Sequence, residues 1–72
     1  MQEEAIRFLT NQVSTRILQE VKQLSKKQLV NENIDLGMEI RNLLRQGGFY
    51  RNQAIFDKTW SSLLQRAAKN YN

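Results

Sequence analysis

Gln46-Gly47-Gly48-Phe49-Tyr50-Arg51-Asn52 is the stretch on which the reading of the fold turns. It is the strong punctuation between two helical runs, and it opens an aromatic-rich final third of the chain. Gly47 suits the left-handed position just past a helix end, where a Cβ is costly. Gly48 adds freedom to the turn. Asn52 is a reasonable N-cap for the run that follows.

Upstream, Leu36, Ile40, Leu43 and Leu44 form one apolar stripe. Asn33 can cap that run, with Asp35 in its first turn. Gly37 weakens the helix start, because Gly is costly inside helices. Downstream, Phe56, Trp60, Leu63, Leu64, Ala67 and Tyr71 fall on one wide helical face. Earlier still, Ile6, Leu9, Val13, Ile17, Val21 and Leu24 recur every three or four residues, the mark of an amphipathic helix. Ser25-Lys26-Lys27-Gln28 either continues that helix or restarts it as a capping box, and the residues leave both readings open. Period-two alternation is absent from all but the shortest segments, so strands find little support. The expected fold is all-α: a single small domain over 1–72 with a long, a short and a medium helix at 3–30, 34–46 and 52–70. These make an antiparallel bundle, or a helical hairpin whose core is completed by oligomerisation.

The 72 residues include no Cys, no His and no Pro. That excludes disulfides and Cys/His zinc sites, and small chains bury a smaller share of their surface. The core is therefore expected to be thin and to favour a partner. The lack of Cys is compatible with a reducing compartment, and a cytoplasmic location is expected. No apolar run has the length of a membrane span, and the acidic start Met1-Gln2-Glu3-Glu4 does not read as a secretory leader.

Catalytic chemistry finds little material. The hydroxyls of Ser14, Thr15, Ser25, Ser61 and Ser62 have no histidine base. Glu3/Glu4 and Asp35/Glu39 are carboxylate pairs placed where helix starts favour negative charge. Gly47-Gly48 lacks the strand before and the Lys-Ser/Thr after that a phosphate loop needs. No enzyme activity, no cofactor, no metal and no small-molecule substrate are expected.

The net charge is +4. Residues 1–30 carry five basic and three acidic groups, residues 31–47 two and three, and residues 48–72 four and one. Macrodipole matching at helix ends accounts for Lys22, Lys26, Lys27, Arg45, Arg66 and Lys69. Arg51, Lys58 and Lys69 nevertheless share one strip of the last helix, and Arg41 and Arg45 form a second pair. Together these five are the candidate nucleic-acid contacts, because Lys and Arg supply the non-specific part of such binding.

Phe8 and Leu18 project away from the long helix's stripe, and Met38 lies opposite the stripe of the second helix. Phe49 and Tyr50 sit in the turn. Aromatic residues are enriched at binding hot spots, and several apolar residues off the core face suggest a contact surface. These five are the candidate protein-interface residues.

Residues 36–64 also resemble part of a ribbon-helix-helix repressor or antitoxin. Gly48-Phe49-Tyr50-Arg51-Asn52 fits loosely the turn between that family's two helices, and Ile55, Phe56 and Trp60 would be core positions. The resemblance implies DNA binding through an N-terminal strand. The nearest stretch here, Lys27-Gln28-Leu29-Val30-Asn31, is short and alternates poorly. A helix-turn-helix between Ser25 and Leu44, around Asn31-Glu32-Asn33, is the other DNA-binding pattern, without the Gly often found in such turns. The leading expectation is a non-enzymatic protein-binding module that self-associates or docks on a larger partner. The alternative is a small basic DNA- or RNA-binding regulator.

Overall fold

Two capping serines divide the first helical run of this chain. A computed structural model describes residues 2–49 and 53–71, with Gln53 by its backbone alone. The described residues are all-helical, without a strand. The order is α1 (Gln2–Gln12), α2 (Thr15–Lys22), α3 (Lys26–Glu32), α4 (Ile34–Leu44) and α5 (Gln53–Asn70), with a π-type turn, Arg45–Phe49, between the last two. None of these helices is long and apolar enough to cross a membrane.

The single helix expected over 3–30 is therefore corrected to three. Ser14 adopts an extended backbone, φ −61° and ψ 148°, and its hydroxyl accepts a hydrogen bond from the Ile17 N–H at 3.3 Å. Ser25 forms a complete capping box. The Gln28 N–H donates to Ser25 Oγ at 3.1 Å, and the Ser25 N–H donates to Gln28 Oε1 at 2.8 Å. Of the two readings left open at Ser25, the restart is the one found. Lys26 and Lys27 accordingly begin a helix instead of ending one. The apolar period did not reveal these breaks because all three short helices turn their apolar sides to one core.

Asn33 occupies the N-cap position of α4 but makes no side-chain bond into that helix. Its Nδ2 donates instead to the Gln28 carbonyl at 3.0 Å, so it closes the end of α3. Its backbone, φ −127° and ψ 54°, supplies the corner between the two helices.

α5 is the central element and packs against each of the other four helices. Its wide face buries Phe56, Trp60, Leu63, Leu64, Ala67 and Ala68. Around it lie Ile6 and Leu9 of α1, Leu18 and Val21 of α2, Leu29 of α3, and Ile40 and Leu44 of α4. Each buried Leu- or Phe-sized side chain contributes about 1.5–3 kcal/mol before chain entropy is counted. These side chains are buried within one chain.

Gly37 has a packing reason that offsets its poor helix propensity. A Cβ there would fall 2.7 Å from Cζ2 of Trp60, so the bare backbone is the floor on which the indole lies. Arg41 of α4 reaches Asp57 of α5, one turn back along α5 from Trp60. Ascending α4 is thus descending α5, and the two form an antiparallel hairpin.

The turn of that hairpin differs by one residue from the expected one. Gly48, not Gly47, takes the left-handed conformation, with φ 92° and ψ 10°. The π-type turn carries the helical path past Arg45, which moves the reversal one position on. Gly47 serves close approach instead: a Cβ there would meet the Phe8 ring at 2.5 Å. Phe49 then stands between Phe8 and Phe56, with ring centroids 5.6 Å and 5.8 Å away, and so ties the turn to α1 and α5. The proposed cap Asn52 lies outside the described residues.

Candidate functional site

The α4 sequence places Ile34, Met38, Arg41 and Arg45 at successive steps of four, three and four, which is one line along a helix. Ile40 and Leu44 take the opposite side to α5, so this line is left facing outward. Ile34 is 65% exposed and Met38 51%. Met38, Arg41, Asn42 and Arg45 form one wall of an open groove, and Asp57 of α5 closes its other side.

The electrostatics of the groove are mixed. Arg41 Nε stands 3.8 Å from Asp57 Oδ1, both side chains being partly exposed, which is the long limit of an ion pair and is weakly stabilising in water. Arg45 has no ion-pair partner among the described residues. The face thus offers an apolar thioether and an isoleucine at one end and guanidinium donors at the other. Arg forks match carboxylates well, and Met adapts to irregular apolar partners.

Of the described residues singled out for a protein interface, only Met38 is more exposed than buried. Leu18 is fully buried and Phe8 and Phe49 are packed against the core. This is a correction with a physical cause. Leu18 is off-stripe only on an unbroken helix; the break at Ser14 re-aims α2 and turns Leu18 inward. Phe8 is covered because the turn folds back onto it. Tyr50 lies outside the described residues. Ile34 was missed, although its spacing to Met38 signals it once the helix start is set at residue 34.

The basic candidates divide between places. Arg41 and Arg45 belong to the α4 groove. Lys58 and Lys69 are exposed on α5, eleven residues and about 16 Å apart along the helix. Arg51 lies outside the described residues. Arg66 Nη2 is held 3.2 Å from Glu3 Oε1. The stretch matched to a reading strand, residues 27–31, is helical within α3, which removes the element through which ribbon-helix-helix proteins read DNA. The two helices considered for a helix-turn-helix do exist, as α3 and α4. They meet at the single residue Asn33, however, where that motif has a turn of about three or four residues. The carboxylates Glu3, Glu4 and Asp35 stand in helix first turns and are exposed. Comparison with protein-family models, with curated proteins and with solved structures finds no match to this chain.

Proposed function

We propose that the chain is a small non-enzymatic protein-binding module and that the outer line of α4 is its contact surface. One observation carries the reading: Ile34 and Met38 stand exposed on one helix face, beside Arg41 and Arg45, on a molecule whose other large stripes are turned inward. Isolated exposed apolar residues such as Ile55 are ordinary. Two on adjacent turns with flanking arginines have the make-up of an interface centre, where apolar anchors and Arg dominate the energetics. The open groove suits a ridge of side chains from another protein better than an enclosed small molecule, which needs a concave pocket.

The test is the double substitution Ile34→Glu/Met38→Glu. Both side chains are exposed, so the melting temperature is expected to stay within a few degrees of wild type. Light scattering reads self-association, and retention from the native lysate, followed by cross-linking at the α4 face, reads docking on another protein. The expected result is that the wild type associates and the double variant does not. A wild-type monomer that retains nothing sinks the reading, as does a variant that binds the same partner equally well.

A further inference from the structure

Away from the α4 groove, four lysines stand in the segments where α2 ends, α3 begins and α5 runs out, and two of them share a groove. Lys22 and Lys69 line one groove with Val21, Leu24 and Gln65. Gln65 Nε2 donates to the Leu24 carbonyl at 3.4 Å, which ties the α2–α3 connection to α5 just before Lys26 and Lys27. Lys22 Nζ stands 5.4 Å from the centroid of the Tyr71 ring. All four lysines are exposed. Among the described residues no carboxylate lines the groove, and neither ion pair involves a lysine. Glu20 precedes Lys22 by two residues, about 200° round α2. Glu32 ends α3, about 9 Å along the helix from Lys26.

Local stability explains only half of this cluster. Lys22 and Lys69 sit in last turns, where the helix dipole favours positive charge. Lys26 and Lys27 open α3, where it disfavours them. Two charges set against the local rule, beside two more with no acid between them in the groove, are what a site for an anion leaves in a sequence.

We infer that this corner binds the backbone of single-stranded nucleic acid. The lysines supply phosphate contacts, Gln65 is a neutral amide within the groove, and the partly exposed Tyr71 ring becomes a surface for a base once Lys22 Nζ, which stands over it, turns to a phosphate. The corner is a junction of helix ends and presents no projecting helix of the kind that enters a duplex major groove. It is separate from the α4 face, so either assignment can fail alone.

The experiment is fluorescence anisotropy of a labelled oligo-dT with the full chain at several salt concentrations. Four phosphate contacts predict a slope of log affinity on log salt of about −3, or roughly fifty-fold weakening between about 50 and 200 mM. Lys22→Gln/Lys69→Gln and Lys26→Gln/Lys27→Gln should each reduce the slope by about 1.4 and weaken low-salt binding roughly tenfold or more. Arg7→Gln/Lys58→Gln removes the same charge from exposed positions elsewhere and should change affinity less than about two-fold. Absence of binding at low salt overturns the inference, and so does equal loss from the Arg7/Lys58 pair, which would mean net charge alone. Tighter binding to duplex, or binding to phosphatidylserine vesicles but not to oligo-dT, overturns it as well. Matched thermal melts confirm that each variant is folded.

Discussion

Residues 2–32 reach the core as three short helices angled by capping serines, whereas α4 and α5 form a hairpin closed by an indole lying on a glycine. In the first region the geometry is set at the surface. Ser14 and Ser25 make side-chain bonds to exposed backbone, and caps of this kind contribute about 0.5–2 kcal/mol each. In the second it is set by close packing, since a Cβ on Gly37 would fall 2.7 Å from the Trp60 indole, beside buried Ile40, Leu44 and Phe56. The difference teaches that interhelix angles can be encoded by a few polar atoms at the surface as well as by close packing. It also bears on the two surfaces. The α4 face rides on the packed hairpin. The lysine corner straddles the capped joint, so its shape depends on Ser25.

The largest effect expected from breaking this contrast is Trp60→Ala. Emptying the hairpin's centre should cost about 3–5 kcal/mol, read by denaturant or thermal unfolding. A loss below about 1 kcal/mol would mean that the indole is not the keystone. Gly37→Ala comes next. Its Cβ would press on the indole at 2.7 Å, and overpacking typically costs about 1–3 kcal/mol, partly offset by the better helix propensity of Ala. Net stabilisation would show that the hairpin can open without strain.

Gly48→Ala should cost about 1 kcal/mol, because φ 92° is strained for a residue with a Cβ, and Gly48→Asn should be milder. Equal melts for Gly48→Ala and wild type would put the reversal elsewhere in the turn. The smallest effect is Ser25→Ala, about 0.5–1 kcal/mol. Its diagnostic readout is local: hydrogen exchange should speed up in α3 while α5 stays protected. Uniform acceleration would mean that both regions unfold as one unit and would remove the contrast drawn above.

Particular residues show what was legible. Most of the α5 face was readable, Ser61 and Ala68 apart, because the apolar residues keep a single period from Phe56 to Ala67 within one unbroken helix. The Ser25 box was visible as a motif, though its use was undecided. Ser14 was not, since its N3 residue is Ile17 and no reciprocal Glu or Gln marks the break. Leu18 and Phe8 were misplaced because helical phase carries across a cap only if the helix is unbroken. Asn33 was read for the right joint and the wrong helix, since an amide can bond to either side of a corner. Of the candidate surfaces, Met38, Arg41 and Arg45 were named from the chain. Their union with Ile34 and Asp57 needed the hairpin, and the grouping of Lys22 with Lys69 needed α2 to lie on α5.

Sequence by itself determined the helical class, the apolar face of α5, the turn at Gly47-Gly48 and the absence of cysteine and histidine chemistry. These follow from local rules: residue period, glycine's freedom of φ, and which side chains are present at all. Only the tertiary structure decided that the first run is three helices, that Gly37 makes room for Trp60, and that Lys22 and Lys69 line one groove. The reason is physical. The last two depend on what lies opposite a residue in space, which the packing of the whole core sets, and the first on which serine hydroxyls bond to their own backbone.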